Sequence, residues 1–146
     1  MEKYIIHTDG GSRGNPGPSA IGVVIEAENK SLKKEYGEYI GETTNNEAEY
    51  KAVIFALKKL KQLIGKESAD NAEVLIYTDS ELLTKQINGE YKIMDENIRG
   101  WFMDIWNLKL DFKNVTISHV FREENKAADR MVNLALDQEL KGKLDL

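Results

Sequence analysis

Residues 72–80, AEVLIYTDS, decide how the rest of the chain must be arranged. Val74, Leu75, Ile76 and Tyr77 form an unbroken apolar run rich in β-branched and aromatic side chains, so the strand they make has both faces covered. The run stops at Asp79. Before it, from about residue 45 to 64, Val53, Ala56, Leu57, Leu60 and Leu63 recur at three- and four-residue steps, which predicts a helix. A strand reached through a helical crossover runs parallel to its neighbour. VTISHVF, 115–121, repeats the pattern after a short helix at SELLTKQIN (80–88, ended by Gly89) and a second at about 95–110, where Ile98, Phe102, Ile105, Trp106 and Leu110 suggest an apolar face. A last helix covers about 125–140. The N-terminal part differs. KYIIHT, 3–8, reads as a strand entering a break at Asp9, with GGSRGNPGP as turn chemistry. AIGVVIEA (20–27) and KKEYGEYIG (33–41), split by the polar ENKS, then complete an antiparallel meander. The expected architecture is α/β: a five-stranded mixed sheet, an antiparallel meander plus two parallel strands, flanked by helices.

At 146 residues the chain suits a single domain spanning 1–146. Hydrophobic content of 41% and charged content of 31% exclude a disordered chain. The absence of cysteine excludes disulfides, thiol chemistry and cysteine-ligated zinc. No apolar run approaches the roughly 18 residues that span a bilayer, and MEKYIIHTDGG lacks the cationic flank and apolar stretch of a signal peptide, so the expectation is a cytoplasmic protein with no membrane partner. The net charge of −5 argues against a broad positive field for nucleic acid, while leaving room for a local basic groove and for phosphate contact through metal ions and backbone amides.

Chemistry concentrates in the acids. In TTNNEAEY, 43–50, Thr44 and Glu47 match a capping box, in which each residue's side chain accepts from the other's backbone N–H. On a helical wheel Glu49 falls about 30° from the centre of the buried stripe and Glu47 roughly 130° away. Glu47 therefore faces water, while Glu49 turns inward, where an unpaired carboxylate is costly and no basic residue stands nearby. Asp129 shares the stripe of Val132, Leu136 and Leu140. A helix-start acid is its bland alternative, but Asn125 or Lys126 fits the start better. Asp9 and Asp79 stand at the C-terminal ends of two strands expected to be parallel neighbours, where open α/β sheets bind ligands. Either alone could be a turn residue. Together the four acids point to a hard-cation site for Mg²⁺ or Mn²⁺ rather than zinc. Two such ions about 3.5–4 Å apart can hold the attacking and leaving oxygens of an in-line phosphoryl displacement.

TDGGSRGNPGP (8–18), TTNNEAEYKA (43–52), YTDSELL (77–83) and HVFREENKAAD (119–129) resemble, in order and across about residues 3–140, the four motifs of type 1 ribonuclease H of the bacterial and archaeal type. The resemblance implies the ribonuclease H-like fold. It also implies endonucleolytic cleavage of the RNA strand of RNA–DNA hybrids by two-metal hydrolysis, leaving a 5′ phosphate. The family's four carboxylates map onto Asp9, Glu49, Asp79 and Asp129, and its minor-groove readers onto Asn15, Asn45 and Asn46. Thr44 matches a position that contacts a DNA-strand phosphate in some relatives. The implied cofactor is a pair of Mg²⁺ ions, with Mn²⁺ as the alternative, and the implied partner is the hybrid, bound by a monomer.

Three departures stand out. The loop before the last helix is shortened to FREEN and lacks the histidine that assists catalysis in many relatives; Arg122 is the candidate to steady a phosphate there. His119 and His7 read as strand residues. The basic handle of some relatives is missing, with only INGEYKIMDEN between the two middle helices, so weak hybrid affinity is expected from Lys85, Lys92 and Arg99. Glu81 replaces a common glutamine, either weakening a minor-groove contact or starting its helix. Trp101, Phe102 and Trp106, at helical spacing, read as core rather than as a stacking platform. The competing functions are a broader nuclease acting on double-stranded RNA or RNA–DNA junctions, and a silent nucleic-acid-binding module; the presence of all four acids disfavours the second.

Overall fold

The computed structural model describes residues 2–144. β1 (Lys3–Ser12), β2 (Gly17–Ala27) and β3 (Lys33–Thr43) form the antiparallel meander. α1 (Asn45–Asp70) crosses to β4 (Glu73–Thr78), which pairs parallel with β1. α2 (Glu81–Ile87) and α3 (Glu96–Lys109) lead to β5 (Asn114–His119), parallel to β4. A 3-10 turn at Arg122–Glu124 then opens into α4 (Lys126–Leu144). The sheet order is β3-β2-β1-β4-β5, the mixed sheet expected from the sequence.

α1 covers one face of the sheet and α4 the other, with α3 packed outside α1. The larger core lies under α1, where Ile6, Val23, Ile25 and Ile76 meet Val53, Leu57 and Leu60. The smaller one lies under α4, where Val132, Ala135 and Leu136 close on Ala20. α1 runs unbroken to Ile64, where the apolar periodicity ends; Gly65, at φ +83°, breaks it before a last stretch to Asp70.

Several local expectations are corrected. β1 does not break at Asp9. It continues to Ser12 paired with β2, and only its pairing with β4 ends at Thr8. Gly10 and Gly11 are therefore strand residues, and their glycine character serves close approach rather than a turn. A Cβ on Gly10 would lie 2.3 Å from the carbonyl carbon of Ala48 in α1. On α3 the buried edge is Ile98 and Ile105 with Trp101 and Leu108 packed beside them, while Trp106 and Leu110 are exposed. α3 touches the core through one edge against α1, and positions 106 and 110 lie off that edge. Leu63, counted in the α1 stripe, is exposed for the same reason at the far end of its helix. Among the described residues, no helix is long and apolar enough to cross a membrane.

Candidate active site

Asp9 and Asp79 are the first residues beyond the parallel β1–β4 ladder, whose last pair is Thr8 with Thr78. Both carboxylates thus leave the sheet at its C-terminal edge. α1 delivers Glu49 one turn after its cap, and Gly10 lets the helix backbone come within contact of β1 at that level. α4 delivers Asp129 in the same manner. Gly22, the sheet partner of Asp9, has no side chain, and a Cβ there would lie 2.1 Å from the carbonyl oxygen of Ala128. Two glycines at two helix crossings therefore bring two helix acids onto one strand acid.

Carboxylate oxygens of Asp9, Glu49 and Asp79 all lie within 4.8 Å of one another. Asp129 lies outside that triad but lines the same cleft, close enough for its charge to act on Asp9. Asp9 is 6% exposed. Burial, then the charges of Asp79 and Asp129, push its carboxyl up to about 8. Burial, followed by the charges of Asp9 and Asp79, holds Glu49 well above the usual range, against a smaller lowering effect of the Gly10 backbone. Thr78 Oγ1 donates to Glu49 Oε2 at 3.4 Å and accepts from the Ser80 N–H at 3.1 Å. Carboxylates crowded this closely are stable in their charged forms only beside a cation. Among the described residues, the ion pair made to these acids is that of Arg122, whose Nε is 3.9 Å from Asp79 Oδ2 on a side chain that is 84% exposed. An oxygen-only donor set of this kind fits a hard divalent cation.

Asp9, Glu49 and Asp129 open into a cleft of about 340 Å³ also lined by Ser12, Arg13, Asn45 and Arg122. Asn45 continues into an adjoining groove of about 400 Å³ lined by Asn15, Thr44, Asn46, Asp95, Asn97 and Trp101. Asn15 Oδ1 accepts from the Asn45 N–H at 3.1 Å, and Asn45 Oδ1 accepts from the Ser12 N–H at 2.9 Å, which ties the β1–β2 turn to the start of α1. Thr44 caps α1, its Oγ1 accepting from the Glu47 N–H at 3.2 Å. The second half of the capping box is not made: the Glu47 carboxylate instead pairs with Lys51, one turn on.

His119 ends β5 in a separate depression with Glu81, Thr84 and Lys85, its ring 5.5 Å from that of Phe121. His7 is half-buried on Tyr77, and burial lowers its pKa. Glu81 sits in the first turn of α2 and pairs with Lys85 at 2.8 Å. Arg99 donates to the Ile93 carbonyl at 3.0 Å.

Sequence reasoning missed four residues that build the site: Gly10, Gly22, Thr78 and Asn125. Asn125 is buried, donates through Nδ2 to the Thr8 carbonyl at 2.9 Å, and accepts at its own carbonyl from the Asp129 N–H at 3.1 Å. It therefore links the residue before Asp9 to the first turn of α4. The repeated Thr-Asp pair at 8–9 and 78–79 was the available signal for Thr78; nothing local marked the other three.

The profile of the reverse transcriptase-like family matches residues 7–135. Ribonuclease H of Pseudomonas entomophila is 33% identical over 150 residues, covering 91% of this chain and 93% of that protein. The chain belongs to the ribonuclease H family. Another member of similar sequence is bifunctional protein Rv2228c of Mycobacterium tuberculosis, 34% identical over 92% of this chain; the chain spans only 36% of that protein's length. Among solved ribonuclease H structures, LC11-RNase H1 in complex with RNA/DNA hybrid superposes with a TM-score of 0.86 at 44% identity, covering 94% of this chain and 99% of that one.

Proposed function

We propose that the chain is an endoribonuclease that hydrolyses the RNA strand of RNA–DNA hybrids, with Asp9, Glu49, Asp79 and Asp129 as metal ligands and a 5′ phosphate as the product end. The observation that carries the reading is the convergence of three carboxylates within 4.8 Å at a sheet edge, with Asp129 against Asp9. The likeness to a relative solved on its hybrid supports the substrate. Two Mg²⁺ ions, replaceable by Mn²⁺, would supply an activated water and neutralise charge on the scissile phosphate.

The chain's own residues do the rest. Thr78, donating to Glu49 Oε2, orients the Glu49 carboxylate. Asn125 fixes the spacing between β1 and Asp129. Arg122, exposed and within reach of the cleft, steadies the scissile or departing phosphate, which its permanently charged guanidinium suits. Asn15, Asn45 and Asn46 line the neighbouring groove, where amide side chains and 2′-hydroxyls can exchange hydrogen bonds. Thr44, on the same groove, is a cap that also offers a phosphate contact. The monomer suffices, because all of these groups come from one chain.

The test is cleavage of end-labelled hybrid, double-stranded RNA and double-stranded DNA in Mg²⁺ or Mn²⁺, beside an Asp79→Asn control. Cleavage confined to the RNA of the hybrid and lost in the control is expected. No hybrid cleavage with either ion refutes the activity; an unimpaired Asp79→Asn refutes the site. Cleavage of double-stranded RNA would widen the substrate class.

A further inference from the structure

Arg13 lies in the β1–β2 turn, outside the set of residues assigned above. Its Nη2 donates to Asp137 Oδ1 at 2.7 Å and to Asn133 Oδ1 at 3.4 Å, both on α4. Asn133 in turn donates through Nδ2 to the Asp129 carbonyl at 3.2 Å and to its Oδ2 at 3.5 Å. Arg13 also lines the cleft that contains Asp9, Glu49, Asp129 and Arg122. From Asp129 to Asp137 the helix rises about 12 Å, so Arg13 stands at one end of the acid cluster and Arg122, before the start of α4, at the other.

We infer that Arg13 binds a backbone phosphate of the cleaved strand beyond the scissile one, and that Asp137 holds its guanidinium ready until the nucleic acid arrives. This rests on the hybrid-cleaving reading of the site. A chain of net charge −5 that brings four carboxylates to a polyanion needs local cations beside them. The Arg13–Asp137 pair suits an exchange: its side chains are 37% and 65% exposed, and an exposed ion pair contributes little to folding. A guanidinium fork can trade one carboxylate oxygen for two phosphate oxygens. Arg13 is a positioning residue here, since it reaches the substrate backbone and not the reacting atoms.

Opposite signs separate this role from that of a staple between the turn and α4. Hybrid binding by fluorescence anisotropy, in an Asp79→Asn background that keeps the RNA intact, is measured from 50 to 300 mM salt. Arg13→Ala should weaken binding several-fold and lower the log–log salt slope by about one, the signature of one lost phosphate contact. Arg13→Lys should keep the slope. Asp137→Asn should tighten binding by freeing the guanidinium, and should have no effect once Arg13 is Ala. In the cleaving enzyme, Arg13→Ala should raise KM with little change in kcat. If Arg13→Ala and Asp137→Asn both weaken binding, or the slope is unchanged in Arg13→Ala, the assignment of Arg13 fails while the proposed function stands. A parent chain that binds no hybrid overturns both.

Discussion

In metal-free protein, Asp9→Asn should stabilise the fold, by an amount that grows with pH. The Asp9 carboxyl is raised from 3.8 to about 8 by burial and by its acidic neighbours. The folded state therefore holds this proton more tightly than the unfolded state, and its stabilising effect is full below about pH 4 and lost as pH rises towards 8. At pH 7 the unfolded carboxyl has released its proton and the folded one has not, a gap of about three pH units, or about 4 kcal/mol. At pH 5 the same arithmetic leaves less than half of that. Asparagine has no such penalty, so the gain from Asp9→Asn should at least double between pH 5 and 7. Relief of Glu49, which Asp9 also pushes upwards, acts in the same direction. The assay is urea unfolding in EDTA at both pH values, followed by far-UV circular dichroism and extrapolated to water. Adding Mg²⁺ should then stabilise the parent chain and leave the variant nearly unchanged, since binding to the folded state alone raises stability. A variant less stable than its parent at pH 7, or a gap that does not change with pH, would refute the crowding of charge on which the metal-site reading depends.

Three further outcomes follow from the geometry. Glu49→Gln should abolish cleavage with little loss of stability, while Glu47→Gln, whose carboxylate pairs with Lys51 away from the triad, should stay active within about twofold in kcat. Gly10→Ala forces its Cβ to 2.3 Å from the α1 backbone; overpacking of this kind costs about 1–3 kcal/mol, read by thermal unfolding, and should lower kcat more than Gly11→Ala, where the nearest contact is a side-chain methyl of Val132 at 3.2 Å. Asn125→Ala leaves the Thr8 carbonyl without its donor, at a cost of about 1–3 kcal/mol in urea unfolding, and should lower kcat by loosening Asp129.

Much of this protein was legible in one dimension. The crossover helices imply parallel strands wherever they fold, because chain connectivity leaves few alternatives. The run at 74–77 is not covered on both faces as expected: Val74 and Ile76 are buried while Leu75 and Tyr77 are half-buried, because α4 lies over β1–β3. The wheel separated Glu49 from Glu47, since both sit in one helix whose buried face the sequence writes out. What only tertiary structure decided was proximity between elements. Gly10 and Gly22 looked like turn or filler residues until α1 and α4 were laid across them, and Asn125 looked like a helix start until its amide met the Thr8 carbonyl. Trp106 and Leu110 looked buried because periodicity reports an apolar face but not how wide a partner covers it. Arg13 carried no local signal at all, because its partners lie 120 and 124 residues away. Sequence determines which face of each element is apolar and where each acid stands along it. How close two backbones approach, and so whether four acids make a site, depends on packing between residues far apart in the chain.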